Sequence, residues 1–238
     1  MTATHSNSRV HENVSFGRGG SIGDYCAVGV PPRGRENGEL ETLFGDRVTL
    51  QSHAVVYAGN VVGDDVVIGH GAYIRECNRI GHRVKVGALN VWEGKVIVGD
   101  DVQFGAQTGV AEFTVIGRGV VIGPQVGIAA VLHPLSPLAK ETAKGPTIGD
   151  AVTIGATVSI GPGLRIGEGA YLEPGSVVMR DVLPFSVVAG NPAKQIGDVI
   201  ELHPEVLSRL SQFVDLSPAS IAARRSEFAA AATHFPPR

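Results

Sequence analysis

The sequence predicts an all-β chain: a parallel β-solenoid of six-residue units with a C-terminal helical segment. Three observations carry this. An aliphatic or aromatic residue returns at every sixth position from Phe44 to Ile128, and again from Ile148 to Val178. Glycine is abundant, 32 of 238 residues, and often follows the recurring apolar residue directly, as in Val62-Gly63, Ile68-Gly69 and Ile80-Gly81. Beyond Ile196 the period of six gives way to the spacing of an amphipathic helix.

A helix repeats every 3.6 residues and a strand every 2, so a sustained period of six is neither. It fits a coil of short strands that turn at regular corners. Each unit forms one flat side, and its recurring aliphatic residue points to the axis. Three sides make a coil of about eighteen residues, so residues eighteen apart stack at about 4.8 Å, the ordinary strand spacing. Val62, Ile80, Val98 and Ile116 form one such inward stack, and Asn60 and Asn78 are placed to form an amide ladder. Small or β-branched residues four places on, such as Val66, Ala72 and Val84, fill the corners. The glycines relieve crowding there, where φ is expected to be positive.

In chain order, residues 1–15 read as a polar N-terminal tail. Before Phe44 only Ile22 and Val28 keep the period. Gly17, Gly19, Gly20 and Gly23 lack the strand-turn-helix setting of a phosphate loop and read as coil corners. The coil extends over 16–196, with external loops near 30–43, rich in Pro and charge, and at 129–146. Residues 197–238 read as a helical cap. Val199, Ile200, Leu202, Val206, Leu207 and Leu210 share a face, and Ser217-Pro218 starts a second helix. Such a segment covers unpaired strand edges or meets another subunit, with Arg224 and Arg225 on a solvated face.

Composition excludes several functions. The net charge is −3, so no broad basic face for nucleic acid is expected. No run of apolar residues is long enough to span a membrane, and the N-terminus lacks the apolar core of a signal peptide. Cys26 and Cys77 form no Cys-x-x-Cys pair and read as small, partly buried thiols; a cytoplasmic setting follows.

Between Phe44 and Val178 the repeat stops once. From Ala129 to Pro146 the chain reads AAVLHPLSPLAKETAKGP, and the spacing from Ile128 to Ile148 is not a whole number of units. Part of this segment must leave the coil. Pro134 and Pro137 disfavour helix, and Pro134 biases His133 toward extended backbone. By position alone, His133 either packs under the loop or forms half of an active site.

The pattern as a whole resembles the hexapeptide-repeat acyltransferases, whose fold is a left-handed parallel β-helix. LHPLSPLAKETAKGPTIGD is similar to the break before the last coils of the maltose, galactoside and xenobiotic acetyltransferases: a His-Pro, a short excursion, then a Pro-x-Ile-Gly-(Asp/Asn) restart. That resemblance implies that His133 is the general base. SVVAGNPAK resembles the Gly-Asn-Pro-Ala-(Lys/Arg) element that ends the same coils, which implies that Lys194 approaches the phosphate end of coenzyme A. Ala156 in IGATVSIG matches a position whose backbone amide holds the thioester end, and Arg180 in MRD matches the basic residue of Thr-Lys-Asp. The chain departs from the family at Leu172-Glu173-Pro174-Gly175-Ser176, where Gly-Ala-Gly-Ser is usual. Glu173 adds charge and Pro174 removes an amide there.

The resemblance implies an acyl-CoA co-substrate, acetyl-CoA foremost, no metal, and a homotrimer with active sites between subunits. The acceptor is a small molecule, a hydroxyl or amino group of a sugar or nucleotide-linked sugar. Gln103, Gln107 and Glu112 are placed to face a neighbouring subunit's His133, with Glu112 orienting the imidazole. Two alternatives stand beside this reading. A hydratase similar to γ-class carbonic anhydrases needs three converging histidines, whereas His53, His70, His82 and His133 are scattered in sequence. A non-enzymatic β-helix binding module is the other.

Overall fold

The computed structural model describes residues 3–4, 7–139 and 141–232. The chain forms a parallel β-solenoid of about ten coils. Its strands, mostly two residues long, stack into three sheets of eleven, nine and eight strands, here the first, second and third faces. Register follows the predicted offset. Val62 pairs with Ile80, Ile80 with Val98, and Val98 with Ile116 on the third face. Across the interruption Ile116 pairs with Ile148, so the excursion adds length without disturbing the stack. The recurring residues are buried along the axis, and Trp92 is the largest of them. The amide ladder forms: Asn60 Oδ1 accepts from the Asn78 N–H at 2.9 Å, and Asn78 Oδ1 accepts from the Val96 N–H at 2.7 Å.

The corners work differently from the expectation. The glycine after the inward aliphatic is required by close approach, not by φ. A Cβ on Gly69 would stand 2.6 Å from the carbonyl carbon of Gly87, backbone of the next coil. The left-handed residue falls two places later and is often not glycine. His53, Asp65, Cys77, Arg83, Leu89, Lys95, Asp101 and Gln107 all have φ between 57 and 64°. The preceding coil supports the turn: Asp65 N–H donates to Asp46 O, and Arg83 N–H to Asp64 O. Repetition of those bonds offsets the cost of a left-handed L-residue at each corner.

Both ends differ from the sequence reading. The expected tail supplies strands Ala3–Thr4, Arg9–Val10 and Val14–Phe16, which pair with Ser21–Ile22, Ala27–Val28 and Thr42–Phe44. Val10 and Phe16 therefore also keep the period. Val10 is exposed and Phe16 only half-buried, because this end has few neighbours to cover them. At the other end Ser186–Gly190 and Ala193–Asp198 form an antiparallel hairpin turning at a cis Asn191-Pro192 bond. Helices α1 (Pro204–Leu210) and α2 (Pro218–Ala232) follow. The two helices lie along the flank of the last coils. Leu210 is buried in α1, and Phe213 just beyond it covers Gly119, where a Cβ would meet the ring at 2.6 Å. Arg224 and Arg225 are not merely solvated. Arg225 bonds to Asp198 and the Pro184 carbonyl, and Arg224 pairs with Glu168 at 3.0 Å; together they hold α2 to the coil.

Candidate active site

At the corner between the second and third faces, the ordinary four-residue turn is replaced by the excursion of residues 129–146. Its neck is closed by the Lys144 N–H donating to Ala130 O at 2.8 Å. The return needs Gly145, because a Cβ there would lie 2.3 Å from the carbonyl carbon of Phe113. Within the excursion Ser136 N–H donates to His133 O, and Thr142 N–H to Leu138 O, a run of turns in place of helix. The prolines account for that, since they cannot supply the helical N–H bonds. His133 is exposed, and its ring makes no hydrogen bond among the described residues. It lines a cavity of about 280 Å³ with Ser136, Thr142, Lys144 and Pro162.

This cavity shares Val131, Leu132 and Pro162 with a larger groove of about 510 Å³ on the second face. The groove has a simple origin. Outward positions on this face are Val91, Gly109, Gly127, Ser159 and Val177 in successive rungs. At Gly109 and Gly127 an added Cβ would meet nothing within 4 Å. Two adjacent rungs therefore lack side chains, and the face is hollowed there. The floor and walls are mainly apolar, with Glu93 as the charged lining residue and Ser159 as a hydroxyl.

The expected site residues fall in three places. Glu112 shares the His133 corner one coil earlier. Its N–H donates to Glu93 Oε2 at 3.1 Å, and no bond joins its carboxylate to His133 within the described chain. Arg180 lies on the same corner beyond the excursion, and the structure brings it together with Lys194 and Gln195 in a pocket of about 320 Å³ under the terminal hairpin. Gln107 and Ala156 lie on the opposite edge of the second face, where Gln125 Nε2 donates to Gln107 Oε1 at 3.3 Å. Ala156 O accepts from the Gly175 N–H, while no protein acceptor takes the Ala156 N–H among the described residues. Pro174 sits on the coil above, so its missing amide falls beside this edge. Gln103 is apart from all of these, on the first face beneath α1.

Glu93, Gly109 and Gly127 were not singled out by sequence. The signal existed: Gly109 and Gly127 occupy the residue before the inward aliphatic, a position that elsewhere on this face carries a side chain. His53, His70 and His82 are exposed, and no three His, Cys, Asp or Glu side chains converge on a metal-sized point among the described residues. No helix among those residues is long and apolar enough to cross a membrane.

The family model described as bacterial transferase hexapeptide (six repeats) matches residues 95–130 and 145–180, the coils on either side of the excursion. No curated protein matches the sequence. Among solved structures the chain is similar to a maltose O-acetyltransferase from Clostridium difficile 630, at 27% identity over 50% of this chain and 68% of that one, with a TM-score of 0.42. It is similar to soybean serine acetyltransferase solved with serine, at 34% identity over 43% of this chain, with a TM-score of 0.38; the match spans only 40% of that enzyme. A third likeness is an N-acyltransferase from Bacillus cereus solved with dTDP-4-amino-4,6-dideoxyglucose and coenzyme A, at 20% identity over 60% of this chain and 85% of that one, with a TM-score of 0.45.

Proposed function

We propose that this chain, which carries the bacterial transferase hexapeptide repeat, is an acyltransferase that uses an acyl-CoA, acetyl-CoA foremost, with His133 as general base. The observation that carries the reading is the juxtaposition at one corner. The repeat is broken once within the matched region, and the break sets an exposed imidazole at the mouth of an apolar groove. Along that edge Arg180 and Lys194 lie on the C-terminal side of His133, and Glu93 and Glu112 on the N-terminal side. A polyanionic donor suits the first end and an acceptor rich in hydroxyl or amino groups the second. We assign Arg180 and Lys194 to the phosphates of the donor and the Ala156 amide to its thioester end. Gln107 and Glu112 belong to the acceptor side, completed across the boundary of a homotrimer, and the setting is cytoplasmic.

In the reaction the acceptor oxygen or nitrogen attacks the thioester carbonyl carbon while His133 takes the proton from that atom. Collapse of the tetrahedral adduct breaks the carbon–sulfur bond, and the imidazolium returns its proton to the leaving sulfur. Such a base contributes roughly a hundredfold to ten-thousandfold in rate. The apolar walls keep water, the competing nucleophile, from the thioester. No metal enters this scheme. The acceptor is a hydroxyl- or amino-bearing small molecule of the sugar type.

The test is thiol release from acetyl-CoA across a panel of sugars, amino sugars and sugar nucleotides, with His133→Ala alongside. Turnover should fall at least a hundredfold in the variant at an unchanged melting temperature. Near-normal turnover in His133→Ala would remove the assignment.

A further inference from the structure

The groove on the second face holds one charge with no counter-charge. Its walls are apolar, with Val91, Leu132 and Met179 exposed along it, and Glu93 is its charged lining residue. Glu93 follows Trp92, which pairs with Val110, and Val110 pairs with Ile128 at the start of the excursion. One of its carboxylate oxygens, Oε2, accepts from the Glu112 N–H at 3.1 Å. No cation pairs with Glu93 among the described residues, because the nearby ones are engaged elsewhere. Arg75, one rung earlier, turns its guanidinium to Glu76, with bonds of 2.7 and 3.1 Å. Lys95, two residues on, lies over the Phe113 ring, 4.9 Å from its centre. Glu112 brings a second carboxylate to the corner and not a cation.

A carboxylate at the edge of an apolar groove acts through less water than one on a flat surface, so its field on a bound group is stronger. A hydroxyl on the ligand can bond to it but leaves the charge uncompensated, whereas an ammonium does both. The lining residues also separate this group from the imidazole. Glu93 lines the groove and not the cavity of His133, His133 lines the cavity and not the groove, and the two spaces join at Val131, Leu132 and Pro162. A ligand that spans them presents one group to Glu93 and a different group to His133. An ammonium beside a carboxylate is held in its charged form, and a charged ammonium has no lone pair with which to attack a thioester.

We propose that the acceptor carries an ammonium group that Glu93 holds in the groove, and that this group is a handle, distinct from the atom that is acylated. This rests on the acyl-transfer reading above. The nucleophile is a second group, a hydroxyl, presented in the cavity of His133. Its proton passes to the imidazole and then to the leaving sulfur, while the ammonium keeps its protons. Glu93 therefore selects amino-bearing acceptors over their neutral counterparts.

The experiment is isothermal titration of the full chain with glucosamine and with glucose near neutral pH, up to about 10 mM, the reach of a millimolar Kd. Glucosamine should bind about fivefold or more tighter than glucose, the upper end for an exposed ion pair. Added salt should narrow the difference. Glu93→Gln should abolish it at an unchanged melting temperature. Glu141→Gln removes the same charge from the excursion outside both spaces and should leave it intact. Equal affinity for the two sugars, binding of neither, or an equal loss in Glu93→Gln and Glu141→Gln would overturn the proposal. Thiol release separates it from the reading it rests on. Turnover that depends on His133 with no preference for glucosamine removes the Glu93 assignment alone. A product acylated on the glucosamine nitrogen would overturn the division between handle and nucleophile.

Discussion

The glycines of the groove make a demanding prediction. Most glycines of the coil are held in place by backbone of the next coil, as at Gly69, where a Cβ would come within 2.6 Å. Gly109 and Gly127 are not: nothing lies within 4 Å of a Cβ at either, and neither has positive φ. The fold therefore has no need of them, and glycine in a strand is the less stable choice. Replacing both with Val should stabilise the chain by about 1–2 kcal/mol, from ~0.5–1 kcal/mol per glycine relieved of its backbone entropy. For a chain of this size that raises Tm by about 2–8 °C. The same change narrows the hollow of about 510 Å³ beside His133 and should raise KM for donor or acceptor at least tenfold. Thermal unfolding and thiol-release kinetics on the same preparation read both effects. A lower Tm would show that these glycines serve the coil. A higher Tm with unchanged kinetics would show that neither substrate uses the groove.

Two further predictions concern stability. Asn78→Ala leaves the buried Val96 N–H without its acceptor, which should cost about 1–3 kcal/mol and lower the urea midpoint accordingly; an unchanged midpoint would deny the ladder any role. The acid side of the stability curve should follow the corner carboxylates. The Arg18 backbone N–H lowers the Asp46 pKa, the Arg47 side chain that of Asp65, and the Arg83 side chain that of Asp101. A carboxylate depressed in the folded state stabilises above its unfolded value near 4 and loses that contribution as pH falls through the folded value. Asp101→Asn should accordingly lower the denaturant midpoint at pH 7 and leave it unchanged near pH 2, and a loss equal at both values would contradict the linkage.

The coil was legible because its signal is one-dimensional. Each inward residue stacks on the residue eighteen positions later, so a single spacing in sequence is also the spacing in space. The burial of Val62, Ile80, Val98 and Ile116 follows from that spacing alone. Where period and space part company, the reading failed. Val10 and Phe16 keep the beat among polar neighbours, so their strands looked like a tail. Arg225 looked like a solvated helix residue because Asp198, its partner, lies 27 positions away on the hairpin. The corner glycines were expected to supply positive φ because glycine usually does. In this coil the tight spot is one residue after the inward aliphatic, and the left-handed spot is two residues further on, where Asp65 and Arg83 stand. His133 was legible for the opposite reason, as it stands where the spacing breaks between Phe44 and Val178.

A regular solenoid offers little for chemistry to use. Its corners project side chains outward, its faces are nearly flat, and its interior is filled. Two departures create the candidate site, and they fall on adjoining surfaces. The excursion after Ile128 sets a titratable ring beyond the corner, and the absence of side chains at Gly109 and Gly127 lowers the face next to it. On the proposed reading, either departure alone leaves the molecule without a site. The excursion without the hollow gives an exposed histidine with nowhere to hold a substrate, and the hollow without the excursion gives an apolar trough with no base. The register shows that both are accommodated at little cost to the coil, because Ile116 still pairs with Ile148 and Val110 with Ile128. The predicted gain in Tm for the Gly109 and Gly127 double variant, set against its predicted rise in KM, measures how far that face gives up stability for function.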